Sequence, residues 1–101
     1  MTATDVELSV IAPCLNEELN IPELTSRILG VFDKGEFRGE LILVDDGSTD
    51  GTAQVIRAMM EAHPGRVQGV FHQQNRGMAA AWKSGAGAAR GPLFAGTRDG
   101  P

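Results

Sequence analysis

The sequence predicts an α/β protein, a three-layer sandwich on a mainly parallel sheet with strands and helices alternating as βαβαβαβ. Three observations carry this. The run Leu41-Ile42-Leu43-Val44 is short, branched and apolar throughout, as expected of a strand buried on both faces in a parallel sheet. Short apolar runs alternate along the chain with segments of helical periodicity, the pattern of crossover units. Each loop with polar interest (residues 13–18, 45–50 and 73–77) follows a strand, so right-handed crossovers bring all three to one edge of the sheet.

Residues 1–5 read as a polar leader. Leu8–Ala12 is the first strand, ended by Pro13, which cannot donate to a ladder. Asn20 can cap a helix beginning near Ile21, with Pro22 in its first turn, where a missing N–H costs nothing. Leu24, Ile28, Val31 and Phe32 give that helix an apolar stripe, and Lys34-Gly35 ends it. Leu41–Val44 is the second strand. Asp50 or Thr49 caps the second helix, in which Val55, Ile56, Met59 and Met60 face inward until His63-Pro64-Gly65 stops it. Val67–Phe71 is the third strand, with Val67, Gly69 and Phe71 on one face. The third helix, about Met78–Ala89, carries Ala81, Gly85, Ala88 and Ala89 on one face, so it can lie close to the sheet. Pro92–Ala95 is a weak fourth strand.

The chain of 101 residues is expected to be a single domain, 1–101, with a modest core. A net charge of −4 and a pI near 5.0 remove any electrostatic case for binding nucleic acid. A phosphate-bearing ligand must therefore be held by local donors or a metal. The single Cys14 cannot form an internal disulfide, and after Pro13 it reads as a small buried or pocket-edge thiol and not a nucleophile. No apolar run reaches transmembrane length and no signal-peptide pattern opens the chain, which makes a cytoplasmic location the expectation, with peripheral attachment to a membrane as its variant.

The chemistry concentrates where Leu41–Val44 runs into Asp45 and Asp46, then Gly47-Ser48-Thr49. Ligands of open α/β sheets bind outside the carboxyl ends of the strands. Two acids there, before a turn of small residues, suit hydroxyls, a base-ring N–H or a metal. The plainer reading is a turn in which Asp45 or Asp46 caps the next helix. Familiar devices are missing: no G-x-x-x-x-G-K-[S/T] loop, no glycine in the first strand–helix turn, and no G-x-S-x-G elbow around Ser9 or Ser48. A receiver-like regulatory domain also carries paired acids at a strand end, but it needs an aspartate after strand three, where His72-Gln73-Gln74 stands.

Ser9-Val10-Ile11-Ala12-Pro13-Cys14-Leu15-Asn16-Glu17-Glu18, followed by Asn20-Ile21-Pro22-Glu23-Leu24, resembles the opening of family 2 glycosyltransferases. Val44-Asp45-Asp46-Gly47-Ser48-Thr49-Asp50-Gly51-Thr52 looks like that family's second signature. Asn75-Arg76-Gly77, the alanine run, Gly85 and Ala89-Arg90-Gly91 are similar to its third. The pieces agree in order and spacing over nearly the whole chain, and within the family they sit nearest the branch that moves a sugar onto a polyprenyl phosphate.

The resemblance implies the N-terminal half of a GT-A (Rossmann-like) fold with a site for a nucleotide-diphospho-sugar such as a UDP- or GDP-sugar. Carried over, Pro13, Leu15 and Glu17 wall the base and ribose. Asp46, or Asp45 beside it, accepts from the base-ring N–H or a ribose hydroxyl, a charge-assisted bond. Asn75 and Gly77 join the site from the third loop. Each has a plainer reading: Glu17 and Glu18 as solvated loop charges, Asn75 as a turn residue, Arg76 as a contact to phosphate or only to solvent. His63 and His72 read as surface or cap residues, and Trp82 as packing.

The departure comes at the end. The family's fourth strand delivers an Asp-x-Asp pair that binds Mg²⁺ or Mn²⁺. Here Asp99-Gly100-Pro101 offers the first acid, with proline where the second belongs and Arg98 where an apolar residue is expected. One carboxylate is a poor cage for a hard cation. The residue expected as general base also has no counterpart. The sequence thus reads as the nucleotide-binding half of an inverting glycosyltransferase (a fragment, a truncated reading frame or a reduced relative), with a non-catalytic α/β binding or assembly module as the alternative. An open strand edge invites pairing, so a homo-oligomer sealed through strand four or helix three is expected.

Overall fold

The computed structural model describes residues 6–94. The order is β1 (Leu8–Cys14), α1 (Ile21–Gly35), β2 (Gly39–Asp46), α2 (Thr52–Ala62), β3 (Val67–His72), α3 (Met78–Ala88) and β4 (Leu93–Phe94). The four strands form one sheet in the order β3-β2-β1-β4, and all three pairings are parallel. β2 is central and buried along its whole length.

Alternation along β2 divides the core in two. Leu41 and Leu43 face α1 and α2, in a cluster with Ile21, Leu29, Phe32, Ile56 and Val67. Ile42 and Val44 face α3, with Ile11 and Ala81. The expected three-layer arrangement is therefore present. On the α3 side the layers are close because Gly85 has no side chain: a Cβ there would lie 2.6 Å from Ile11 Cγ2 and 3.2 Å from Val44 Cγ2. Trp82 packs against this second cluster, as its helical position suggested.

Several boundaries differ from expectation, each for a local reason. β1 continues through Pro13 to Cys14. The Ser9 amide donates to Pro92 O, so odd-numbered amides of β1 point toward β4. β4 pairs only with Ser9 and Val10, so the missing N–H of Pro13 breaks no ladder bond. The buried face of α1 is Ile21, Thr25, Leu29 and Phe32, with Leu24 and Ile28 half-buried. Val31 lies past the edge of that stripe and is 60% exposed, correcting its place in the core. The apolar pattern overlooked Thr25 because it is polar; its Oγ1 is buried without a hydrogen-bond partner. Asn20 occupies the N-cap position of α1, but its side chain donates to Glu17 Oε1 instead of capping. The left-handed residue that ends α1 is Glu36, at φ 56°, and not Gly35. For α2 the N-cap position is Gly51, while the Asp50 side chain takes the Thr52 amide. Of the expected fourth strand, Ala95 lies outside the described residues, as do Arg98 and Asp99.

At the amino end of the sheet a buried polar network ties the α3–β4 connection down. Glu40, on β2, accepts from Ser9 Oγ (2.7 Å), Gln68 Nε2 (2.8 Å), the Arg90 amide (2.7 Å) and Arg90 Nε (3.0 Å). Ser9 Oγ in turn accepts from the Gly91 amide. Burial pushes the Glu40 carboxyl up, but these donors outweigh it and hold the group below its ordinary value.

Candidate functional site at the carboxyl rim of the sheet

The three loops that follow β1, β2 and β3 meet, and polar groups within them account for the meeting. Asn16 adopts the left-handed conformation at φ 53°, which asparagine tolerates better than most residues. Its amide donates to Ser48 Oγ (2.9 Å), and its Oδ1 accepts from the Thr49 amide (2.9 Å). The Glu17 amide donates to Thr52 Oγ1, and Glu18 Oε1 accepts from the Gly51 amide. Loop one is thus fastened to loop two along its length.

Loop two meets loop three through backbone and carboxylate. Gly47 has φ +76°, and a Cβ there would stand 2.3 Å from Gln74 C and 2.4 Å from Asn75 N. Only glycine lets these backbones approach so closely. Asp46 Oδ1 accepts from the Arg76 amide (2.9 Å) and Oδ2 from the Gly77 amide (3.0 Å). The His72 ring, in register with Asp46 across the β2–β3 pair, bonds Oδ1 through Nδ1 at 2.9 Å. The bonds from His72 and then from the Arg76 and Gly77 amides hold the Asp46 carboxyl below its ordinary value. Asp50 is lowered similarly, first by the Thr52 hydroxyl and then by its amide.

Between loops one and three, above α3, lies a cleft of about 230 Å³. Of the residues singled out in the sequence, Pro13, Leu15, Glu17, Asp46, Asn75 and Gly77 line it together. Asp45 does not. Alternation sends it to the opposite face of β2 from Asp46, beside Cys14 in register, where Oδ1 accepts the Ser48 amide. Asp99 lies outside the described residues. Cys14, Met78 and Ala81 complete the lining. Cys14 is buried, and its thiol is pushed up to about 12, first by that burial and then by the charges of Glu17 and Asp45. Such a thiol is inert at neutral pH.

Sequence reasoning made His72 a surface or cap residue, and this is corrected: its side chain is 6% exposed, held between Asp46 and Ser84. The signal was present in the alternation of β3, since Val67, Gly69 and Phe71 on one face put His72 on the other. Met78 was also missed; it lies in the first turn of α3 at the cleft mouth, 64% exposed. The N-cap of α3 is Gly77, with no side-chain cap and no acid in the first turn. Its unsatisfied N–H groups therefore favour negative charge at this end of the cleft.

A divalent cation needs several hard oxygen ligands together. Among the described residues no three of His, Cys, Asp and Glu gather in a way that could hold a metal ion. Asp46 and Asp50 are engaged by protein donors, so the described rim does not fit a cation. No helix of the described residues is long and apolar enough to cross a membrane.

Residues 9–97 match the sequence model of Glycosyl transferase family 2. The chain is 38% identical over 94 residues to the undecaprenyl-phosphate 4-deoxy-4-formamido-L-arabinose transferase of Aeromonas hydrophila, covering 92% of this chain and 29% of that protein. It is 40% identical over 95 residues to the dodecaprenyl-phosphate galacturonate synthase of Rhizobium johnstonii, covering 94% and 28%. Among solved structures it is similar to the mannosyltransferase PcManGT of Pyrobaculum calidifontis, in complex with GDP-Man and Mn²⁺, with a TM-score of 0.69, 32% identity, and 82% and 24% of the two chains covered. S. aureus TarS gives a TM-score of 0.67 at 30% identity, covering 85% and 25%. The chain thus spans less than a third of the length of these relatives.

Proposed function

This chain belongs to glycosyl transferase family 2, and on that footing we propose that its cleft takes the nucleoside end of a nucleotide-diphospho-sugar, as the donor-binding part of a longer inverting glycosyltransferase. The observation that carries the reading is the cleft itself: six residues chosen for chemistry, from three separate strand-end loops, line one space. At about 230 Å³ it is smaller than the ~300–1,000 Å³ of most small-molecule pockets, so it suits one moiety of the donor and not the whole.

In this reading Pro13 and Leu15 give the base apolar walls, and Glu17 accepts from ribose hydroxyls. A carboxylate offers roughly four acceptor sites, and Asp46 commits three to His72, Arg76 and Gly77. One remains on Oδ2 for a base N–H or a hydroxyl. Asn75 bounds the cleft opposite, and the uncapped start of α3 favours the negatively charged diphosphate. Transfer with inversion forms a bond from the acceptor oxygen to the anomeric carbon as the bond to the diphosphate breaks on the opposite face. No described residue takes the role of general base, and no step is routed through a metal. A Mg²⁺ or Mn²⁺ ion, if used, needs ligands outside the described rim, with Asp99 the candidate this chain offers. The acceptor in this proposal is a polyprenyl phosphate, the class named in the Aeromonas and Rhizobium relatives, which would place the enzyme at a membrane surface as a peripheral protein.

Calorimetric titration of the full chain with UDP, GDP, UDP-glucose and GDP-mannose, with and without Mn²⁺, tests this. Saturable binding of one nucleotide class, weakened by Glu17→Ala, is expected. Absence of binding by every nucleotide sinks the reading.

A further inference from the structure

Three elements are joined across the α3 face of the sheet by a chain of side-chain bonds. Asp46 on β2 meets His72 Nδ1 on β3 at 2.9 Å, and His72 Nε2 meets Ser84 Oγ on α3 at 2.7 Å. The side chains of His72 and Asp46 are 6% and 8% exposed, so water competes little for these bonds. We propose that His72 and Ser84 are positioning residues for the cleft: they fix the Asp46 carboxylate in the orientation that pins the Arg76 and Gly77 amides and presents its remaining acceptor site to a nucleotide.

The physical argument starts from the carboxylate. The terminal torsion of aspartate is broad, so an untethered carboxylate samples many orientations. Asp46 has two amide donors on a loop and one ring donor anchored in the sheet. The ring is the rigid member, because Ser84 holds its far nitrogen from a helix packed on the same face. A carboxylate only accepts, so Nδ1 carries the proton toward Asp46, and in the neutral ring Nε2 accepts from the Ser84 hydroxyl. The charged group bonded to the ring is Asp46 on β2; on α3 the neighbour is the neutral Ser84, with Lys83 beside it exposed, and Arg76 in the loop is exposed and bonds Asp46 through its amide.

This rests on the nucleotide reading above, and the test separates the two. UDP and GDP are titrated into the full chain and into Ser84→Ala and His72→Phe at neutral pH, and amide exchange is followed by NMR. In Ser84→Ala the loss of one hydrogen bond is expected to weaken binding about 3–10-fold. The Arg76 and Gly77 amides exchange faster in both variants, while those of Leu41 and Leu43 stay protected. Unchanged affinity and exchange in Ser84→Ala overturn the proposal. So does a uniform loss of protection across the sheet in His72→Phe with no recovery of affinity in Ser84→Thr, which keeps the hydroxyl; that pair of results marks a purely structural role. If the wild-type chain binds neither nucleotide, the cleft reading fails, and exchange at Arg76 and Gly77 alone decides whether His72 and Ser84 position Asp46.

Discussion

Glu40 and Arg90, fifty residues apart, are joined by two hydrogen bonds, one from the Arg90 amide and one from its Nε. The carboxylate is fully buried while the guanidinium side is 34% exposed, so the pair is closed on the protein side and open on the other. Through it the turn after α3 is held where β4 begins.

That arrangement makes Glu40→Ala costly. It removes the acceptor shared by Ser9, Gln68 and Arg90 and leaves buried donors unpaired. Leaving a buried donor without its acceptor costs about 1–3 kcal/mol, a large share of the ~5–15 kcal/mol that stabilises a domain. Glu40→Gln keeps the shape and one acceptor oxygen and should lose about half as much. Urea unfolding at neutral pH compares the two; equal losses would show that shape, not the donors, sets the cost.

Acid sensitivity follows from three lowered carboxyls. Glu40, Asp46 and Asp50 all titrate below their ordinary values in the folded chain. A lowered folded value means the unfolded chain binds protons first as pH falls. The stabilisation is complete above about pH 4–5, where the unfolded groups are ionised, and is lost as pH drops through the folded values. Urea midpoints should therefore hold between neutral pH and about 5, then fall. In Asp46→Asn the fall should be shallower, since one of the three no longer titrates.

Gly47→Ala should open the rim. The new Cβ would overlap the backbone at Gln74 and Asn75, which cannot swing aside as a side-chain tip could, and φ is +76°. Gly65, at φ +80° with nothing within 4 Å, isolates the conformational part alone. Gly65→Ala should cost about 1 kcal/mol, and Gly47→Ala about 2–4 kcal/mol once overpacking is added. Thermal melts of both report the difference, and equal shifts would mean that the loops do not touch as described.

Much of this was legible in the sequence because local signals agreed. The apolar run at Leu41–Val44 ending in two acids fixed both the central strand and the rim, and small residues at Ala81 and Gly85 marked the close face of α3. What escaped depended on long-range pairing. Glu40 was not singled out, because its partners Ser9, Gln68 and Arg90 lie 31, 28 and 50 residues away. The alternation of β3 put His72 on the α3 face, but its partner there follows from the β2–β3 register, which aligns it with Asp46 and which no local signal reveals. Asp45 and Asp46 were treated as interchangeable, although neighbours on a strand must face opposite ways. Val31 fell into the stripe by its i+7 spacing from Leu24, but the buried face is centred on Ile21, Thr25, Leu29 and Phe32, which leaves Val31 outside it.

Cys14 yields a prediction about reactivity. Its thiol is buried and pushed up to about 12, so almost none is thiolate at pH 8. A disulfide reagent should modify it only after unfolding, and labelling should track the urea transition. A raised folded value also means stability is full below the ordinary thiol range of about 8–9 and falls as pH climbs toward 12. Cys14→Ser should flatten that alkaline fall. Fast labelling of the native chain at pH 8 would contradict the burial.

The two glycines of α3 should respond with opposite sign. Gly85 faces the sheet, where an added methyl would lie 2.6 Å from Ile11 and 3.2 Å from Val44. Overpacking of that kind costs about 1–3 kcal/mol and lifts the helix away from the strands. Gly87 is exposed with nothing within 4 Å, so alanine there gains helix propensity of about 0.5–1 kcal/mol without a clash. The melting temperature should therefore fall for Gly85→Ala and rise for Gly87→Ala. Because α3 also carries Ser84 and begins at the cleft, Gly85→Ala should weaken nucleotide binding as well, whereas Gly87→Ala should leave it alone. A rise in stability for both substitutions would mean that α3 stands further from the sheet than its contacts with Ile11 and Val44 require.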